Sequence, residues 1–171
     1  MPAGDGAAGA HAPVLRVRDV DAADSDAIRA VIKSAGNLTS DEEACAAELL
    51  DIYLNDADQR DYGFIAALDA DGMVAGYACY GPRPLASGTY DLYWIIVAPL
   101  MRRYGVGRLL VQEVEGRLAR LGARLIVAET SGLPEYESTR RFYLGCGFTE
   151  EARVKEFYKS GDDLIVYTKR L

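Results

Sequence analysis

The chain has a single histidine, His11, which stands in an Ala/Gly-rich N-terminal stretch. That excludes Ser-His-Asp chemistry and His-rich metal sites, both of which need imidazole in an ordered site. Cysteine is also scarce. Cys45, Cys79 and Cys146 make an odd count without C-x-x-C spacing, so neither a disulfide framework nor a zinc site is suggested, and no metal is expected. They read as small core residues. No apolar run approaches the roughly 20 residues of a membrane span, and the start lacks the basic and apolar segments of a secretory signal. The expectation is a cytoplasmic protein with no membrane partner.

An excess of basic residues is missing too. The net charge is −7, which argues against nonspecific nucleic-acid binding. The acidity is confined to one part: residues 1–61 carry 13 acids and 5 bases, residues 62–171 carry 13 and 14. A near-neutral part containing an arginine cluster can accept a polyanionic ligand, while an acidic part can steer a cationic amine. With 171 residues, half of them hydrophobic, the chain suits one globular domain with a substantial core.

Residues 1–12 have little to bury and are expected to form a disordered tail. Val14, Leu15, Val17 and Val20 suggest a first strand, and Asp24-Ser25-Asp26 offers capping oxygens ahead of Ile28, Val31 and Ile32 at helical spacing. Gly36-Asn37 stops that helix. A second begins at Ser40, with Asp41, Glu42 and Glu43 in its first turn, and runs through Leu49, Leu50 and Tyr53. The period then changes. Gly63–Leu68 and Met73–Tyr80 flank Asp69-Ala70-Asp71-Gly72, the signature of an antiparallel hairpin. After the Pro82-Arg83-Pro84 break, Thr89–Val97 reads as a strand, followed by a helix with Leu110, Val114, Leu118 and Leu121 on one face, ended by Gly122. Arg124–Thr130 is a further buried strand and Glu137–Leu144 a short helix. Thr149–Tyr158 and Asp163–Arg170 form a closing hairpin, giving the order β-α-α-β-β-β-α-β-α-β-β.

Between the fourth strand and the third helix lies Arg102-Arg103-Tyr104-Gly105-Val106-Gly107-Arg108. Glycines there let successive backbone N–H groups converge on an anion at a helix N-terminus. A dinucleotide fingerprint would need a third glycine where Leu110 stands, and a Walker A loop would need Gly-Lys-Ser/Thr, which is absent. Three arginines in seven residues favour an anionic ligand over a plain solvated turn.

The pattern Arg/Gln-x-x-Gly-x-Gly/Ala at Arg102, Gly105 and Gly107 resembles the acetyl-CoA signature of the GNAT superfamily of N-acetyltransferases. Ser138–Phe148, containing Phe142-Tyr143 and Gly147-Phe148, is similar to the family's second landmark, though Tyr136 stands where many members carry Asn. The resemblance covers residues 13–171 and implies a single acetyltransferase domain of α/β (α+β) class. Its sheet would be mixed, mostly antiparallel and splayed between strands 4 and 5, with helices on both faces. It implies acetyl-CoA as cosubstrate, an amine of a small molecule or peptide as acceptor, and a tendency to homodimerise through the last strands.

It also implies roles for residues. Ile96 and Val97 would pair through their backbone with pantetheine. The turn from Arg102 through Arg103, Tyr104, Gly105, Val106 and Gly107 to Arg108 would hold the pyrophosphate, with arginine side chains reaching the ribose phosphate and Thr139 and Phe142 completing the cofactor contacts. A primary amine is mostly protonated at neutral pH, so attack on a thioester needs a base, and the departing thiolate gains from a proton donor. Tyr143 is the candidate acid. Asp91 is the candidate base, placed by strand alternation on one side with Tyr93, Ile95 and Val97, and Glu129 is its rival. Tyr53, Tyr62, Tyr80, Tyr90, Tyr93, Tyr136 and Tyr158 are candidates to line an acceptor pocket. Two other readings stay open: a noncatalytic acyl-CoA sensor, and a transferase using another acyl-CoA.

Overall fold

The computed structural model describes residues 15–171. The expected tail at 1–12, and Val14 of the expected first strand, lie outside the described residues. The elements are β1 (Arg16–Asp19), α1 (Ser25–Ser34), α2 (Ser40–Asn55), β2 (Gly63–Leu68), β3 (Val74–Pro82), β4 (Thr89–Val97), α3 (Val106–Arg120), β5 (Leu125–Ser131), α4 (Glu137–Gly145), β6 (Thr149–Lys159) and β7 (Asp162–Arg170). Short 3-10 turns at Ala22–Asp24, Pro99–Met101 and Pro134–Tyr136 connect them. This is the order read from the sequence.

The strands form one seven-stranded sheet, β1-β2-β3-β4-β5-β7-β6. Every neighbouring pair is antiparallel except β4 and β5. These two pair only where Thr89, Tyr90 and Asp91 face Leu125, Ile126 and Val127, and then part. Beyond Asp91 the β5-facing edge of β4 has no strand partner, which is the expected splay.

Apolar periodicity sorts side chains onto the two faces. Ile28, Ile32 and Leu50 from α1 and α2 pack on Phe64 and Tyr77, while Leu110, Val114 and Leu118 from α3 pack with Tyr143, Ile165 and Tyr167 on the other face. Truncating a fully buried Leu such as Leu110 to Ala would cost about 2–5 kcal/mol.

Local chemistry refines or corrects several sequence-based expectations. Helix α2 begins at Ser40 as expected, and its cap is Thr39: the Thr39 hydroxyl accepts from the Glu42 N–H while the Glu42 carboxylate accepts from the Thr39 N–H. Asp24 does not cap α1 with its side chain. Its two oxygens instead receive the Arg18 guanidinium at 2.6 and 2.8 Å, and one also takes the Asp21 N–H. Leu121, expected on the apolar face of α3, is 68% exposed. The helix ends at Arg120, and Gly122 N–H bonds Ala119 while Ala123 N–H bonds Leu118, a Schellman close that turns Leu121 outward.

The departure from simple alternation that bears on the cleft is in β4. Cys79 faces Trp94 and Tyr80 faces Leu92, so Tyr93 is an extra, unpaired residue. Tyr90 and Leu92 therefore belong with the α3 side, Tyr93, Trp94 and Ile96 with the α1–α2 side, and Ile95 and Val97 with the α3 side again. Asp91 shares a face with Tyr93, as expected, but is on the opposite face from Ile95 and Val97.

Candidate active site

Where β4 and β5 part, a cleft of about 1480 Å³ passes between the two faces. One wall comes from the turn after β4 and from α4. The other comes from the start of α2, the turn before α4 and the β6–β7 hairpin.

The turn after β4 has the properties of an anion cradle. Arg103 and Gly105 both adopt positive φ, 70° and 81°, which aims consecutive amides inward. The N–H groups from Arg103 to Arg108 have no backbone acceptor, and the first return bond is Leu109 N–H to the Gly105 carbonyl. The two glycines serve different ends. A Cβ on Gly105 would meet nothing within 4 Å, so glycine is required there for its left-handed backbone. A Cβ on Gly107 would come 2.9 Å from the Phe142 ring, so glycine is required there for close approach of α3 to α4.

The arginines divide their labour in a way the sequence did not predict. Arg102 spends its guanidinium on the Val97 carbonyl at 3.3 Å and the Ala35 carbonyl at 2.8 Å, tying the turn to the end of α1. Arg108 bonds the Gly145 carbonyl at 2.9 Å. Only the Arg103 side chain has no hydrogen bond or ion pair among the described residues, so of the three it is the cation most available to a phosphate. Tyr104, in the same turn, stands outside the cleft lining, whereas Thr139 and Phe142 line it.

Backbone alternation also reassigns the open edge of β4. Ala98 N–H bonds the Ala75 carbonyl, so with Gly76 facing Val97 and Tyr77 facing Ile96, the polar groups of Ile96 go to Tyr77 and those of Ile95 and Val97 face the gap. Ile96, expected to pair with pantetheine, is thus committed to β3. Val97 keeps its N–H free on that side.

Tyr143 is 4% exposed and lines the cleft. Phe142, Phe148 and Tyr167 pack around its ring. Its hydroxyl has no hydrogen-bond partner among the described residues, and burial pushes the phenol well above its ordinary range. It therefore stays protonated at neutral pH. On the other face, Asp91 and Glu129 are bridged by Arg83, 2.8 Å from Asp91 Oδ1 and 3.3 Å from Glu129 Oε1. Burial raises Asp91, and outweighs the lowering by Arg83. Arg83 read in the sequence only as part of a chain break, because nothing local shows that β3 ends beside Asp91.

Of the candidate tyrosines, Tyr93, Tyr136 and Tyr158 line the cleft. Tyr62 stacks edge-on against Tyr93. Tyr53 packs on Phe64 and donates to the Val20 carbonyl, and Tyr80 and Tyr90 pack against the α3-side core. Glu42 and Asp162, which also line the cleft, were not singled out in the sequence, since each reads as an ordinary helix-start or turn acid.

A seven-stranded sheet splayed over an anion cradle, with carboxylates and a protonated phenol in one cleft, has the layout of acyl-CoA-dependent transfer. The sequence model of the Acetyltransferase (GNAT) family matches residues 32–148. A solved GNAT-family structure from Desulfovibrio desulfuricans is 44% identical, superposes with a TM-score of 0.86, and the match covers 92% of this chain and 99% of that one. The chain belongs to the GNAT acetyltransferase family, whose cosubstrate is acetyl-CoA and whose members act on amines. A GCN5-related N-acetyltransferase from Kribbella flavida is 25% identical with a TM-score of 0.69, over 92% and 98% of the two chains. The ribosomal-protein-S18-alanine N-acetyltransferase of Escherichia coli shares the fold at 18% identity and a TM-score of 0.71, over 92% and 94%. No curated protein is detectably similar to the chain. Among the described residues no helix is long and apolar enough to cross a membrane.

Proposed function

We propose that this acetyltransferase moves the acetyl group of acetyl-CoA directly onto a primary amine of a small molecule or peptide, without a covalent enzyme intermediate, through one domain spanning residues 13–171. The observation that carries the reading is the unbonded, buried Tyr143 phenol in the same cleft as the Asp91 carboxylate.

The cradle residues fit a pyrophosphate: converging N–H groups from Arg103 to Arg108 would hold it, with Arg103 reaching a further phosphate. Val97 and Ile95 would extend β4 by pairing with the pantetheine amides. Acetyl-CoA brings an activated acetyl group as its thioester. Asp91 accepts the proton of the incoming ammonium, directly or through water, with Glu129 as the alternative acceptor. The freed nitrogen forms the new C–N bond as the C–S bond breaks. Tyr143 gives its proton to the departing sulfur and regains one from the nitrogen as the amide forms. Arg83 holds both carboxylates toward the gap.

Calorimetry against acetyl-CoA, followed by thiol release with a panel of amines, tests this. Binding with release for one amine class is expected. Binding without release across the panel would point to a sensor, and absence of binding would overturn the assignment of the turn after β4.

A further inference from the structure

Asp162, at the head of β7, is 5% exposed and lines the cleft. Its Oδ1 accepts a short hydrogen bond from the Ser131 hydroxyl, and no cation lies within ion-pair range of it among the described residues. Lys159, its register partner across the hairpin, is exposed and unpaired among those residues. Aspartate is almost never this buried without a counter-charge, because desolvating a carboxylate costs several kcal/mol. One neutral hydroxyl does not offset that cost. Lys159 also lines the cleft, but it is exposed to water, and further acids stand beside it. Glu42 and Glu129 line the same cleft. Beside Asp162 are two phenols: burial and then Glu42 raise Tyr136, burial and then Glu129 raise Tyr158, and the charge of Asp162 adds to both.

We infer that Asp162 is the base of a second cation subsite and that the acceptor is a diamine, one nitrogen reacting near Asp91 while another ammonium is held by Asp162 beside Tyr136 and Tyr158. The inference rests on the transferase reading above for the first nitrogen. The sheet sets the spacing. Asp91 faces Val127 where β4 and β5 pair, and Ser131, whose hydroxyl holds the Asp162 carboxylate, lies four residues beyond Val127 on the same face of β5, a separation of about 13 Å at about 3.3 Å per residue. That is roughly the reach of an eight-carbon chain. The tyrosine rings supply apolar and cation–π surface for such a chain and its charged end, and a peptide backbone is not needed to explain any of these contacts.

The experiment compares kcat/KM for 1,8-diaminooctane and n-octylamine in the full-length protein and in Asp162→Asn, with calorimetric binding of 1,8-diaminooctane to the CoA-loaded protein alongside. The native protein should prefer the diamine by about ten- to a hundredfold, as expected for a charged hydrogen bond. The difference should lie mainly in KM, and Asp162→Asn should erase it while leaving n-octylamine within about twofold. A preference that survives in Asp162→Asn, an equal loss for both amines, or a native protein with no preference would each overturn the subsite. If n-octylamine is turned over without diamine preference, the transferase stands and the subsite falls. If no amine is turned over but diamine binding depends on Asp162, the subsite stands and the transferase reading falls. Should Asp162→Asn not fold, Ser131→Ala, which removes the hydroxyl that orients the carboxylate, is expected to raise KM for the diamine alone. An unchanged diamine KM in that variant would overturn the assignment.

Discussion

The Tyr136 hydroxyl lies 2.8 and 2.9 Å from the two carboxylate oxygens of Glu42, joining the turn before α4 to the first turn of α2 across the cleft. The same carboxylate closes the Thr39 capping box, so one side chain serves a helix cap and a cross-cleft tie. Tyr136→Phe keeps the ring and removes the tie, at an expected cost of about 1 kcal/mol. Amide hydrogen exchange should accelerate over residues 37–42 while acetyl-CoA affinity holds. Unaltered exchange there would mean the tie does not restrain the segment.

Tyr143→Phe should lower kcat by about 10²–10⁴, the usual share of a general acid. Because packing against Phe142, Phe148 and Tyr167 survives, the melting temperature and acetyl-CoA affinity should stay near native. Single-turnover kinetics read the difference. Undiminished kcat would remove Tyr143 from the mechanism.

A base works ionised, and burial raises Asp91, so kcat/KM should rise with pH through that raised value and be lost as pH falls below it. Asp91→Asn should abolish this acid limb. Arg83→Gln removes the cation that lowers Asp91 and should shift the limb to higher pH. If only Glu129→Gln abolishes the limb, Glu129 is the base.

The two glycines of the cradle should fail differently. Gly105→Ala must hold a left-handed backbone in open space, at about 1–2 kcal/mol, and thermal melting should register it. Gly107→Ala collides with Phe142, costs about 1–3 kcal/mol by overpacking, and should also weaken acetyl-CoA binding by displacing α3. Gly107→Ala with native affinity would separate the helix contact from the cradle.

Arg18 holds the Asp24 carboxyl below its ordinary value, its hydrogen bond being the largest cause. A depressed folded-state pKa stabilises above the unfolded value and loses that contribution as pH falls through the folded one. Asp24→Asn should therefore cost about 1–2 kcal/mol at neutral pH, modest because Arg18 keeps contact with water, and nothing in strong acid. Denaturant melts at pH 7 and pH 2 compare the two. An equal cost at both would remove the ion pair from the stability of α1's entry.

The order of elements was readable because Leu110, Val114 and Leu118, or Phe64 beside Ile65, follow the period of their element. The cradle was readable because Gly105 and Gly107 are rare residues at a fixed spacing. What stayed hidden depends on tertiary placement. An unpaired Tyr93 leaves no trace in a two-residue period, so the face reached by Asp91 relative to Val97 could not be derived. Arg83 and Glu129 are 46 residues apart in sequence, and the burial of Asp162 is decided by Ser131 on another strand. Arg102 was read as a ligand contact because its charge is visible in sequence, whereas its carbonyl partners Ala35 and Val97 are not.

The bulge at Tyr93 has a consequence for traffic. Since Asp91 ends on one face and the edge of Val97 leads to the other, the gap between β4 and β5 is a passage with two mouths. With the cofactor and amine placed as proposed, they would approach from opposite ends and meet only at the middle, so neither would have to vacate the site before the other enters or leaves. On that placement a ternary complex would be favoured over alternating occupancy, through one inserted residue in a strand.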